Sequence, residues 1–176
     1  MKFIETPLKG AFVIDLEKRE DERGFFARAW CQNEFESHGI YRLPVQTNMS
    51  HSKRAGTIRG MHYQAAPYQE SKFIRCINGS IYDVIIDLRK DSPTYRQWFG
   101  IELNDQNRTM LFVPEDFAHG FLALKDNSEV IYQVSAFYNA ESERIIRYND
   151  PTFGIKWPIE VTVVSEKDIT TPNFKE

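Results

Sequence analysis

The side chains best suited to chemistry in this chain are histidines set at the entry to β-patterned runs, tyrosines and a short cationic stretch. His62 lies in Ile58-Arg-Gly-Met-His-Tyr-Gln64, and His119 lies in Val113-Pro-Glu-Asp-Phe-Ala-His-Gly-Phe121. His38 and His51 stand in polar surroundings and are expected at the surface. An imidazole titrates near neutrality, so a histidine in a pocket can take or give a proton or bind a metal. Two chemistries fit. In the first, His62, Glu70 and His119 form a facial metal set, but the stronger His-x-His spacing is missing because Gln64 follows at the second position. The second is metal-free acid–base chemistry. His62 is the base there, with Asp168 or Asp83 orienting its second nitrogen. Tyr132 or Tyr138 is the phenolic acid, and Lys72 and Arg59 stabilise an oxyanion or hold phosphate.

The charge distribution favours a small anionic ligand. Residues 52–75 carry Lys53, Arg54, Arg59, Lys72 and Arg75 against Glu70 alone, a local +4 in a chain whose net charge is −3. Nucleic-acid binders are usually basic overall, so neither nucleic acid nor a membrane is expected as partner. With 41% hydrophobic residues and little net charge, the chain is not disordered, and its 176 residues suit one domain, 1–176. No apolar run approaches the roughly 20 residues of a membrane span. The opening Met-Lys-Phe-Ile-Glu-Thr-Pro has no signal-peptide core, so a cytoplasmic location is expected. The two cysteines, Cys31 and Cys76, are expected to be buried, apolar and unpaired.

Stepping along the chain, short β-rich runs recur between turn signals. Gly10 to Leu16 is one. Phe73 to Ile77 and Ser80 to Leu88 flank Asn78-Gly79, a hairpin signal. Trp98 to Leu103 and Thr109 to Val113 flank a longer loop, as do His119 to Leu124 and Glu129 to Ser135, and both pairs read as further hairpins. Ser80 to Leu88 is nearly all apolar and should be a central strand covered on both faces. On the run containing Tyr132, alternate residues must face a barrel interior. Helix is sparse: Gln32 to His38, stopped by Gly39, and a capping box at Ser165-Glu-Lys-Asp168. Many short strands and few helices predict an all-β antiparallel jelly roll. The 14% aromatic content agrees with this.

Taken together and in order, several motifs resemble the dTDP-4-dehydrorhamnose 3,5-epimerase family, whose fold is a cupin-like jelly-roll barrel with a few short helices. They are Asp21-Glu-Arg-Gly-Phe-Phe26, Gln46-Thr-Asn-Met-Ser50, Gly56-Thr-Ile-Arg-Gly-Met-His-Tyr-Gln64, Asp83 to Pro93, Pro114 to Phe121, Asn149-Asp-Pro151 and Ser165-Glu-Lys-Asp168. The resemblance runs from about Gly10 to Asp168. It implies epimerisation at C3 and C5 of a nucleotide-diphosphate 4-keto-6-deoxyhexose, with no metal or organic cofactor. It implies His62 as base with Asp168 as its partner, Tyr132 as acid and Tyr138 stacked on the nucleotide base. Arg23, Gln46, Asn48, Arg59, Lys72, His119, Glu143 and Lys167 match substrate-contacting positions, and of these Lys72 is the cation that the chemistry places at an enolate oxygen. It also implies a homodimer in which an N-terminal segment completes the partner's sheet and site. Two residues depart from the family pattern: Arg28 and Thr47 each replace a usual acid, through subfamily drift or for a different nucleotide or sugar. The alternatives are a single-carbon epimerase, an enzyme for a CDP- or GDP-linked sugar, a keto-isomerase, a metal cupin and a non-catalytic sugar-binding jelly roll.

Overall fold

A computed structural model describes residues 1–42 and 44–175. Two antiparallel sheets face each other. The first has six strands in the order β1 (Lys2–Glu5), β2 (Phe12–Asp15), β10 (Met110–Val113), β7 (Lys72–Asn78), β12 (Ser128–Val134) and β5 (Gln46–Ser52). The second has five, in the order β13 (Glu143–Ile145), β6 (Ile58–Gln64), β11 (Phe117–Ala123), β8 (Ser80–Asp87) and β9 (Trp98–Asn104). A separate hairpin joins β3 (Arg19–Asp21) to β4 (Gly24–Phe26). With the short helices α1 (Gln32–Ser37) and α2 (Glu166–Thr170), this is the all-β jelly roll expected from the strand pattern.

All three expected hairpins are corrected. β7 and β8, β9 and β10, and β11 and β12 each lie in different sheets. Asn78-Gly79 is a corner at which the chain crosses the sandwich. Gly79 has φ +75°, and a Cβ there would lie 2.6 Å from Ser128 Oγ. Turn chemistry announces that the chain reverses. It does not say whether the returning strand pairs in the same sheet or packs on the facing one.

The space between the sheets is filled along part of its length by Ile74, Cys76, Ile81, Ile85, Leu103, Leu111, Phe121 and Val130, among others. β8 is central as expected, with Ile81 and Ile85 facing this core and Val84 and Ile86 facing a second cluster on the outer side. That outer cluster also holds Met61, Ile146, Phe153 and Phe174, so the C-terminal segment covers the five-stranded sheet. The six-stranded sheet is covered by α1. Phe35, fully buried, sets its ring edge against Phe73 with a centroid distance of 5.3 Å. Burying one such side chain stabilises the docking by about 2 kcal/mol. Of the cysteines, Cys76 is buried and its thiol is pushed up to about 11 by burial. Cys31 is only half-buried, because it sits at the N-cap of α1 rather than under it.

Candidate active site

Where the apolar filling stops, the sheets enclose a cavity of about 500 Å³ lined by Arg59, His62, Lys72, His119, Tyr132 and Asp168, together with Ser50, Thr57, Phe121 and residues 163–165. An adjoining cavity of about 390 Å³ shares His62, Lys72 and Tyr132 and adds Gln46, Asn48, Glu70, Tyr138 and Glu143. The two sheets contribute different chemistry. Arg59, His62 and His119 come from β6 and β11, whereas Gln46, Asn48, Lys72 and Tyr132 come from β5, β7 and β12 on the facing sheet. Strand alternation does the sorting: Asn48 and Ile74 flank Tyr132 in register and share its inward face, while exposed Thr47 and Met49 point the other way.

His62 Nε2 lies 2.6 Å from Asp168 Oδ1. An ionised carboxylate can only accept, so Nε2 carries a proton, and in the neutral ring the lone pair is on Nδ1. Asp168 is 3% exposed. Burial pushes its carboxyl up, but hydrogen bonds from His62 and from the Gly60 N–H outweigh this and hold it below the ordinary carboxylate range. Glycine is needed at position 60: φ is +112°, and a Cβ would lie 2.6 Å from Gly120 Cα on the neighbouring strand. Asp168 arrives on α2, whose N-cap Ser165 accepts its backbone N–H at 3.1 Å. The residues before the helix are tied to the barrel by Ile58 N–H donating to Val163 O at 2.9 Å.

Of the two aspartates left open for His62, the structure selects Asp168. Asp83 instead accepts from His119 Nε2, 3.0 Å from each of its oxygens. Tyr132 lines the cavity, and burial together with the Glu70 charge pushes its phenol up, so it holds its proton at neutral pH. Tyr138 is 61% exposed at the rim, its hydroxyl donating to Glu143 at 3.1 Å. Lys167 is bonded to the same carboxylate. Burial raises Glu143, but these two donors outweigh it and hold Glu143 low. Lys72 Nζ reaches into the cavity, donating to the His62 carbonyl at 3.1 Å and pairing with Glu70 at 3.2 Å. Gln46 donates to Asn48 at 2.7 Å.

The expected cationic patch divides. Arg59 and Lys72 reach the cavity. Lys53 and Arg54 are exposed in the β5–β6 loop. Arg75 lies on the opposite face of its sheet, where it donates to the carbonyls of Arg108 and Ala29, and burial lowers its guanidinium to about 10. Arg23 and Arg28 stand away from the cavity: Arg23 is paired with Asp21 in the exposed β3–β4 hairpin, and Arg28 with Glu34 at 2.6 Å. Thr47 is on the outer face of β5. In the alternative metal set, Glu70 is paired with Lys72 and His119 with Asp83. Among the described residues no group of three or more His, Cys, Asp or Glu side chains is placed to hold a metal ion.

Sequence reasoning did not single out Ser50, Thr57, Val163 or Val164 as cavity lining. Nothing in their types marks them; only the crossing of residues 163–165 over the barrel mouth brings those last residues in. In the sequence Glu70 reads as the one acid of the basic stretch and as a metal ligand, although its position two residues before Lys72 also fits an ion pair.

The model of the dTDP-4-dehydrorhamnose 3,5-epimerase family matches residues 5–176. The chain belongs to the dTDP-4-dehydrorhamnose 3,5-epimerase family. An enzyme of that name from Methanothermobacter thermautotrophicus is 44% identical over 170 residues, covering 95% of this chain and 91% of its own. The crystal structure of dTDP-4-dehydrorhamnose 3,5-epimerase from Elizabethkingia anophelis superposes with a TM-score of 0.95 at 37% identity, covering 99% and 96% of the two chains. The Bacillus anthracis enzyme, with TDP and PPi bound, superposes with a TM-score of 0.94 at 40% identity, covering 98% and 99%. Family membership agrees with the jelly roll and with a cavity of mixed cationic and acid–base lining. Among the described residues no helix is long and apolar enough to cross a membrane.

Proposed function

We propose that the protein is an isomerase that converts dTDP-4-dehydro-6-deoxyglucose to dTDP-4-dehydrorhamnose in the cytoplasm by inverting C3 and C5 of the sugar. The observation that carries this reading is the supply of base and acid from opposite sheets: His62, oriented by Asp168, on β6, and Tyr132 on β12, both facing one cavity. A sugar ring bound between them has one face toward an imidazole and the other toward a phenol. Both C3 and C5 flank the C4 ketone. Removing either proton gives an enolate, and reprotonation from the other side inverts the carbon.

The carbon acid is weaker than an imidazolium by on the order of ten pKa units, so about 14 kcal/mol must be offset. A base alone does not supply that; a cation or strong donor at the enolate oxygen does. Lys72, 7% exposed inside the cavity, is read as that group. Arg59 and His119 are read as contacts to the sugar and diphosphate, with Gln46 and Asn48 beside them. Tyr138, Glu143 and Lys167 at the rim are read as the nucleotide end. TDP and PPi in the Bacillus anthracis relative favour a thymidine nucleotide.

Arg23 and Arg28 are read as parts given to a second copy of the chain in a homodimer. The hairpin that carries Arg23 supports this: all six of its strand residues are exposed, with Phe25 at 44% and Phe26 at 71%. So does β5, which is an edge strand beside the cavity. Mixing inactive His62→Ala protein with inactive Arg23→Ala protein, followed by subunit exchange, is then expected to restore activity. No recovery would mean that Arg23 does not act in the partner's site.

The decisive measurement is proton NMR of dTDP-4-keto-6-deoxyglucose in D₂O with the protein, following the C3 and C5 hydrogens separately. Loss of both signals, abolished by His62→Ala, is the expected result. Loss of one alone would make the protein a single-carbon epimerase. No exchange would redirect the search to a CDP- or GDP-linked sugar, and metal analysis of the purified protein would then test the metal-cupin alternative.

A further inference from the structure

The Asn149-Asp150-Pro151 motif lies outside the cavity, yet Asp150 is only 2% exposed. One of its carboxylate oxygens accepts the Thr152 N–H at 2.9 Å, and the other accepts the Phe174 N–H at 2.6 Å. The same end of the chain is gripped twice more. The Phe174 ring meets Phe153 edge-on at 5.2 Å between centroids, and Arg147 donates to the Asn173 side chain at 2.5 Å. Phe174 thereby joins the outer cluster that contains Met61, the residue before His62.

Between this grip and the barrel lies α2. It has five residues, and the only buried one is Asp168; Ile169 is 49% exposed. A helix of that length has no stability of its own, and this one has no apolar face to dock. Apart from the exposed Lys167 on Glu143, it is held at its ends: in front by Val163 on Ile58 and by the Ser165 cap, behind by Phe174 on Asp150. A buried carboxylate is strongly drawn to water unless its partners stay in place. Releasing either end therefore lets Asp168 leave His62.

We propose that Asp150 is a positioning residue for the acid–base pair: by pinning the Phe174 backbone it keeps α2 against the barrel and Asp168 on His62. The proposal rests on reading His62 with Asp168 as the catalytic unit.

Asp150→Asn keeps the shape but turns an N–H₂ toward one of the two backbone donors, and Phe174→Ala removes the ring anchor. Each is expected to lower kcat about tenfold with KM within about twofold, the size of effect that a small misplacement of a reacting group produces. In the Asp168→Asn background Asp150→Asn should cost nothing further, because its effect passes through Asp168. An equal loss in both backgrounds, or no loss in either, would overturn the proposal. A second readout needs no substrate. The downfield proton resonance of the His62–Asp168 hydrogen bond should be present in the parent protein and broadened or lost in both variants. Its persistence unchanged in the variants would also overturn the proposal. If the parent protein is inert toward the sugar nucleotide while this resonance still responds, the functional reading has failed and the positioning role stands. Should Asp150→Asn not fold, Phe174→Ala carries the same measurements.

Discussion

His62 and His119 are Cα partners on adjacent strands, and each is hydrogen-bonded through Nε2 to an aspartate. The surroundings of the two pairs differ. The His62 side chain is 35% exposed, and its aspartate comes from a strap 106 residues away in sequence. The His119 side chain is 9% exposed and Asp83 is fully buried, supplied by the neighbouring strand β8 of the same sheet. The first pair leaves one ring nitrogen to the cavity and depends on a tethered segment. The second is built into the sheet, so its geometry is as rigid as the ladder that holds it. The same two residue types thus make a cavity-facing pair on a tethered segment in one place and a fixed element of the cavity wall in the other, and access together with the source of the aspartate decides which.

The sharpest way to break this comparison is to remove each imidazole in turn. His62→Ala is expected to lower kcat by about 10³-fold, the range for losing a general base, with a smaller loss of stability than the other variant, because Asp168 sits on a tethered segment that can turn it to water. His119→Ala should cost about 3 kcal/mol of stability as well as activity, because Asp83 is left buried without its partner. Steady-state kinetics and chemical denaturation of the same two proteins test both statements. Equal stability losses would mean that the two pairs are built alike.

A third aspartate sharpens the contrast between carboxylates that hold the fold and the one that orients His62. Asp87 is fully buried. Burial pushes it up, but donors from Arg89, Ser92 and Thr94 outweigh this and take it from the ordinary 3.8 to about 2. A carboxyl depressed in the folded state stabilises the protein above its unfolded value, and that contribution is lost as pH falls through about 2. Asp87→Asn should therefore cost about 2 kcal/mol at pH 7 and progressively less below pH ~4, with kcat unchanged. A denaturation series across pH reads this directly, and a penalty that does not shrink in acid would assign the loss to packing instead.

Much of the site was legible from residue types in their motifs. His62, Lys72, Tyr132 and His119 sit at the ends or inward positions of β-patterned runs, and the cavity gathers them. The capping box at Ser165 foretold α2, because a cap is local chemistry. Strand partners were less legible. Each of the three turn signals read as a hairpin joins strands of opposite sheets, since sheet choice depends on where an apolar face can be buried and not on the turn. In sequence the basic stretch at 52–75 reads as one patch, but strand alternation sends Arg75 to the other side of the sheet from Lys72.

By itself, the amino-acid sequence determined the strand-rich pattern, the capped helix, the residue types available for proton transfer and the motifs that carry the family resemblance. These depend on neighbours within a few residues. Only the tertiary structure decided that Asp168 and not Asp83 serves His62, and that Tyr132 faces His62 from the other sheet. The two histidine–aspartate pairs join residues 36 and 106 positions apart, so the first exists only once β8 and β11 pair and the second only once α2 is laid against β6, while Tyr132 meets His62 only when the two sheets face each other. Arg23 and Arg28 stay away from the cavity in the single chain, paired instead with Asp21 and Glu34.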